Sequence, residues 1–401
     1  MTVTIKKSKA LGIIAAPPSK SQAHRLLICG ALSGGSRIAS VEYSNDISAT
    51  LDCLKALGAN IEKSGNTVTL GGLNPHLSQS ATLDCRESGS TLRFLIPLCM
   101  MSGNSITLTG TKRLFERNLK IYEKIAADNS ILFQKGDNSI TVCGRLKSGE
   151  YKVQGNISSQ FISGLLFALP LIDGDSTLEI MGEYESEPYV DLTLKALGDF
   201  GIKIEKCDRI YKISGNQCYI ENGLTVEGDY SNAAFLDAFN LLGGNVNVMG
   251  LDKNSLQGDR VYREMFKGLK NGEKRFDLAN CPDLAPVMFA LAAVLGGAEF
   301  TGTRRLKIKE SDRAAAMQTE LSKFGIRVDV FENSVTVHGG KLQVPCETLC
   351  GHNDHRIVMA LSLLCSLTGG SIDEAESVAK SYPDYFEKIK SLGIVVKNEV
   401  K

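Results

Sequence analysis

Apolar positions along the 401-residue chain follow one alternation six times over. Each copy opens on polar residues, continues as an apolar stretch with helical spacing, passes one or two glycines and ends in a short β-prone run. The copies span 19–40, 88–110, 158–182, 231–250, 282–303 and 353–371. Their starts lie about 70 residues apart, with one shorter interval between 231 and 282, a longer period than that of ordinary solenoids.

Between these copies lies a second pattern at 46–58, 191–201, 312–325 and 384–393, with weaker versions at 118–142 and 259–280. Each predicts a second helix: an acidic residue opens it, leucines recur at helical spacing, and a glycine closes it where a left-handed residue ends a helix. Alternating strands follow, as at 60–62 with 67–70 and 326–328 with 335–337. The unit is therefore βαβαββ-like. Six copies in a chain too long for one hydrophobic core predict an α/β protein of two lobes, three repeats per lobe, with a natural boundary near Gly228.

The N-terminal lysines 6, 7 and 9 and the apolar run 10–16 superficially resemble a signal peptide. The run is short and ends in Pro17-Pro18, so a strand entering a loop is expected, and no apolar run approaches the roughly 18 residues that would span a bilayer. Composition is globular, with 43% hydrophobic and 22% charged residues; 45 Lys+Arg balance 45 Asp+Glu. Nothing global points to nucleic acid or a membrane surface, so anion selectivity has to come from local clustering of basic residues. The eleven cysteines form no C-x-x-C pair, which fits free thiols in a reducing cytoplasm.

The helix starts supply that clustering. A helix N-terminus has unsatisfied N–H groups and a positive dipole end. Ser19-Lys20-Ser21-Gln22 precedes Arg25, Ser88-Gly89-Ser90-Thr91 precedes Arg93, and Ser158-Ser159-Gln160 follows Gly155. Any one serine start is ordinary capping; three such starts together with basic residues favour anion binding. Further basic residues occur in the stretches 111–117, 309–313 and 354–356, where arginine suits phosphate and carboxylate because its planar fork donates two parallel hydrogen bonds. Asp283 and Glu310 are general acid/base candidates, although Asp283 could equally cap the helix ahead of it and Glu310 could pair at the surface with Lys309. No Walker A, G-x-G-x-x-G or H-E-x-x-H sequence occurs, and neither a metal nor a cofactor is expected.

Taken together, Pro18-Ser19-Lys20-Ser21 with Arg25, Ser158-Ser159-Gln160-Phe161, Lys309-Glu310-Ser311-Asp312-Arg313, Asn353-Asp354-His355-Arg356 and Ala379-Lys380-Ser381-Tyr382-Pro383-Asp384 resemble the 5-enolpyruvylshikimate-3-phosphate synthase family, in order and over nearly the whole chain. The resemblance implies a two-lobed inside-out α/β barrel. Residues 16–228 would form the N-terminal lobe and residues 1–15 plus 229–401 the C-terminal lobe, with hinges near Ala15 and Gly228 and closure on substrate. It also implies transfer of the enolpyruvyl group of phosphoenolpyruvate to the 5-hydroxyl of shikimate 3-phosphate, releasing phosphate, on the pathway to chorismate and aromatic amino acids. By the same resemblance Lys20, Ser21, Arg25, Ser158, Ser159, Gln160, Ser186, Asp283 and Lys309 would bind shikimate 3-phosphate. Lys20, Gly89, Arg113, Gln160, Arg313, Arg356 and Lys380 would bind phosphoenolpyruvate. Asp283 would take the hydroxyl proton, while Glu310 and Lys20 would serve the methylene carbon in an addition and elimination through a tetrahedral intermediate.

Departures from the family pattern are Glu87-Ser88-Gly89-Ser90 for a frequent Asn-Ala-Gly-Thr, Arg305 for Asn and Glu187 for Lys. Glu87, negative beside an anion site, is expected to pair with a neighbouring arginine. Gly89 leaves room beside the phosphoenolpyruvate position, so inhibition by glyphosate is expected. The expected protein is a cytoplasmic monomer that takes small molecules, with no nucleic acid and no membrane. The alternatives are an enolpyruvyl transferase acting on UDP-N-acetylglucosamine, whose mobile-loop cysteine has no counterpart in 111–118, and a non-catalytic anion-binding protein, which two extra carboxylates would hinder.

Overall fold

The computed structural model describes residues 1–399. The chain divides into two compact units, Pro18–Glu227 and the remainder, Met1–Pro17 with Gly228 onward. The divisions fall two residues after Ala15 and just before Gly228. Each unit has its own hydrophobic core.

In Pro18–Glu227 the helices are α1 (Lys20–Leu32), α2 (Asn45–Ala56), α3 (Gly89–Cys99), α4 (Lys112–Glu116), α5 (Lys120–Asp128), α6 (Ser159–Ala168) and α7 (Glu187–Asp199). Three four-stranded sheets accompany them. In the third, Glu150–Gln154 runs parallel to Ser176–Met181 with α6 between them in sequence, and Ile210–Ile213 and Ile204–Cys207 add antiparallel. The first sheet borrows its outer parallel strand, Gly223–Thr225, from the end of the unit.

The other unit contains α8 (Tyr230–Leu241), α9 (Tyr262–Lys270), α10 (Ala285–Val294), α11 (Arg313–Lys323), α12 (His355–Thr368) and α13 (Tyr385–Ser391). Its last sheet is completed by the N-terminal strand Thr2–Lys6, between Gly370–Asp373 and Val395–Glu399. The strand expected after the N-terminal lysines forms at Leu11–Ala15 and pairs in parallel with Asn245–Met249 in a two-stranded sheet. That fourth repeat lacks the antiparallel pair, because the chain passes from α9 directly to Arg275–Asp277. The short interval between the fourth and fifth copies has this cause.

The second helices end where glycine was expected: Gly58, Gly201, Gly325 and Gly393 have φ of 110°, 81°, 78° and 94°. α7 begins at Glu187, four residues before the expected Asp191, because left-handed Ser186 and Pro188 in the first turn start it early. At the fourth copy the cap is Asp229, whose carboxylate accepts from the Asn232 amide at 2.7 Å, not Ser231. The helix expected from Pro282 opens as a 3-10 turn, Pro282–Leu284, before α10.

α6, α10 and α12 are buried at nearly every position, while α5 and α9 bury only one stripe. In Pro18–Glu227 each second helix sends a hydroxyl into the seam between two buried ones. Thr50 on α2 lies 2.8 Å from His24 Nδ1 on α1 and 2.7 Å from Thr91 on α3. Tyr122 on α5 donates to the Arg93 carbonyl at 2.7 Å. Thr193 on α7 lies 2.8 Å from Arg25 Nε and 2.7 Å from Ser163 on α6. A Cβ on Gly164 would collide with the Tyr122 hydroxyl and the Arg93 carbonyl, so glycine lets α3 and α6 approach. These seams set the positions of the helix starts. Among the described residues no helix is long and apolar enough to cross a membrane.

Candidate active site

In Pro18–Glu227 the starts of α1, α3 and α6 are capped by Ser19, Ser88 and Ser158, whose hydroxyls accept from the amides of Gln22, Thr91 and Gln160. Each such cap contributes about 1 kcal/mol. Lys20 pairs with Asp46 at 2.8 Å. Ser21 is half-buried, and its carbonyl accepts from Arg25 Nη1 at 2.6 Å. Ser159, the first residue of α6, is buried. Ser186 is buried with φ 58°, a backbone that non-glycine residues keep mainly where neighbours enforce it.

Arg25 is 3% exposed, and its other nitrogens reach Thr193 Oγ1 at 2.8 Å and the Tyr189 carbonyl at 2.7 Å. Among the described residues no carboxylate pairs with it. Burial lowers its pKa to about 10, so it stays charged at neutral pH. A buried cation without a counter-charge is costly, and an anionic ligand would compensate it.

Around Gly89 three polar groups converge. A Cβ there would lie 2.8 Å from Arg117 Nη1, 3.0 Å from Arg93 Nη1 and 3.6 Å from Gln160 Oε1. Arg93 Nη1 donates to Gln160 Oε1 at 2.6 Å, and Gln160 Nε2 to Ser90 at 2.9 Å. Arg113, the arginine the resemblance picked out in this stretch, has its side chain 45% exposed and lies 3.7 Å from Glu116. Arg117 is 6% exposed and reaches Gly89 instead. The i,i+3 pairing of Arg113 with Glu116 was the available signal for a surface residue.

In the other unit the site is a charge network. Asp283 accepts from Arg313 Nη1 at 2.7 Å and Arg356 Nη2 at 3.1 Å, with Lys309 Nζ at 3.2 Å. Burial opposes ionisation, yet Arg356, Lys309 and Arg313 hold the Asp283 carboxyl well below the usual carboxylate range. Arg313, with its side chain 1% exposed, also donates to Glu310 at 2.7 Å and to Asp354 at 2.9 Å. Desolvation lowers the pKa of Lys309, with Asp283 acting in opposition. Arg356 Nε is buried with no partner, a donor that an anion could satisfy. Lys380 Nζ donates to the Asn353 carbonyl. Asp283 lies in the 3-10 turn ahead of α10 and makes no side-chain cap there, which leaves its carboxylate to the cations.

Sequence reasoning missed Asp259. It is fully buried and accepts from the Ser231 hydroxyl; burial and the charge of Asp283 push its pKa up to about 6. Of the departures from the family pattern, Glu187 pairs with Lys206 at 2.8 Å, Arg305 is buried and donates to the Ala279 carbonyl, and Arg86, beside Glu87, holds Asp52 at 2.7 Å.

Pro18–Glu227 thus carries buried cations at its helix starts, and the other unit carries a carboxylate surrounded by cations. Residues 5–389 match the model of the family EPSP synthase (3-phosphoshikimate 1-carboxyvinyltransferase). A 3-phosphoshikimate 1-carboxyvinyltransferase of Clostridium kluyveri is 43% identical over 98% of this chain and 97% of that protein; one of Clostridium perfringens is 39% identical over 99% of each. The fold matches a solved EPSP synthase of Acinetobacter baumannii with a TM-score of 0.80 at 22% identity, covering 99% of both chains. The chain belongs to the EPSP synthase family.

Proposed function

We propose that this chain transfers the enolpyruvyl group of phosphoenolpyruvate to the 5-hydroxyl of shikimate 3-phosphate and releases phosphate. The observation that carries this reading is Asp283 within 3.2 Å of three cationic side chains. Such a carboxylate is a weak base in the protein alone. Once the substrate phosphate and carboxylate groups draw on Lys309, Arg313 and Arg356, its pKa rises toward a value at which it can accept the hydroxyl proton. Family membership of chains at 43% and 39% identity supports the same substrates.

In this reading Ser21, Arg25, Ser158, Ser159, Ser186 and Lys309 bind shikimate 3-phosphate. Lys20, Gly89, Gln160, Arg313, Arg356 and Lys380 bind phosphoenolpyruvate, and buried Arg117 takes the place expected of Arg113. Glu310, with Lys20, protonates the methylene carbon during addition and removes a proton during elimination. The preorganised cations stabilise the tetrahedral intermediate's charge. The two compact units are the two lobes, with hinges near Ala15 and Gly228. Phosphate release from phosphoenolpyruvate, measured with shikimate 3-phosphate and separately with UDP-N-acetylglucosamine, tests the reading: release with the first alone is expected, and release with the second alone overturns it.

A further inference from the structure

The loop 350–356 carries Asp354 and Arg356 from the strand Leu349–Cys350 into α12. Two successive non-glycine residues in it are left-handed, His352 with φ 50° and Asn353 with φ 47°. Such backbones persist where neighbours over-determine them.

α11 supplies that constraint at both ends of the loop. Its first residue, Arg313, donates to Asp354 Oδ2 at 2.9 Å. Two turns later Glu320, fully buried, accepts from the Cys350 amide at 3.0 Å and from His352 Nε2 at 2.9 Å, with Lys323 Nζ at 3.1 Å. From the opposite side Glu374 accepts the Asn353 amide at 2.7 Å. The constrained backbone reaches one cation directly, the Asn353 carbonyl accepting from Lys380 Nζ, and sets the start of α12 that carries the other, Asp354 Oδ1 accepting from the Arg356 backbone amide at 2.9 Å. A buried carboxylate is a poor device for stability alone, since an apolar side chain of similar size packs as well or better. Its placement against the bend of this loop gives it another task.

We propose that Glu320 is a positioning residue that clamps loop 350–356, so that Lys380 and Arg356 are held in the geometry that binds phosphoenolpyruvate. This rests on the functional reading above. Burial opposes ionisation of Glu320, but hydrogen bonds from His352, the Cys350 amide and Lys323 hold its carboxyl below the usual range, so the clamp is charged at neutral pH.

The test compares Glu320→Ala, Glu320→Gln and, for stability, Leu321→Ala on the same helix, all assayed for KM of both substrates and for Tm. Glu320→Ala is expected to raise KM for phosphoenolpyruvate by about tenfold or more with KM for shikimate 3-phosphate within about twofold, as a displaced binding group does. Glu320→Gln keeps one acceptor oxygen and should fall between. Leu321→Ala should lower Tm and leave both KM values unchanged. Should Glu320→Ala not fold, the Glu320→Gln kinetics decide alone. Unchanged phosphoenolpyruvate KM in the folded Glu320 variants, or equal rises for both substrates, overturns the clamp while leaving the functional reading intact. Failure of the unmodified enzyme to release phosphate overturns that reading, and the clamp with it.

Discussion

Asp283 and Arg313 are joined by a 2.7 Å ion pair in which the arginine side chain is 1% exposed and also holds Glu310 and Asp354. One guanidinium thus fixes three carboxylates, two of them the acid/base candidates. Replacing Asp283 by Ala removes the proposed base, and a fall in kcat of about a thousandfold is expected with shikimate 3-phosphate binding still measurable by calorimetry. Retained turnover contradicts the assigned role. The variant also leaves Arg356 and Lys309 undercompensated, while Arg313 keeps Glu310 and Asp354, and a stability loss on the order of 3 kcal/mol should appear in denaturant titration.

The same pair sets a pH dependence. The folded-state pKa of Asp283 is depressed, so its contribution to stability is fully present above the unfolded carboxylate value of about 4 and is lost as pH falls through the lower folded value. The stability difference between the unmodified protein and Asp283→Asn should therefore be constant from neutrality to about pH 5 and shrink below it. A difference that grows on acidification contradicts the depressed pKa.

Arg25 is held by one hydroxyl and two carbonyl oxygens. Arg25→Lys keeps the charge but not the fork, so KM for shikimate 3-phosphate should rise about tenfold or more while that for phosphoenolpyruvate changes little. Steady-state kinetics showing full function with lysine would remove Arg25 from the binding site.

Arg117 and Arg113 offer a direct contrast. Arg117→Ala is expected to raise KM for phosphoenolpyruvate about tenfold or more, because its Nη1 stands beside Gly89. Arg113→Ala removes an exposed partner of Glu116 and should leave kinetics and stability nearly unchanged. The reverse ranking would restore Arg113 to the site.

A methyl group on Gly89 would press on the ends of Arg117 and Arg93, flexible side chains that can give by a few tenths of an ångström. Gly89→Ala should fold normally and tolerate glyphosate better than the unmodified enzyme, since glyphosate has a longer backbone than phosphoenolpyruvate and needs the space more. Inhibition curves for the two proteins check this. Unimpaired turnover of the unmodified enzyme in millimolar glyphosate contradicts the expectation from Gly89.

The repeat, the caps at Ser19, Ser88 and Ser158 and the closing glycines were legible in the sequence because caps and left-handed glycines are local chemistry. The clustering of Asp283 with Lys309, Arg313 and Arg356 became legible only through family resemblance, since the residues lie up to 73 positions apart. Others were hidden because burial decides them. Arg117, just past the end of α4, is buried where Arg113 on that helix is exposed, Asp229 caps α8 where Ser231 binds Asp259 instead, and the Thr50 seam joins residues whose pairing no local pattern announces.

Acceptor-specific transfer is tested most directly by 31P NMR of a mixture of phosphoenolpyruvate, shikimate 3-phosphate and the purified protein. The predicted result is loss of the phosphoenolpyruvate resonance with matching growth of orthophosphate, while the 3-phosphate ester persists at a shifted position in the enolpyruvyl ether. Unchanged spectra, or orthophosphate with pyruvate and unaltered shikimate 3-phosphate, would contradict it.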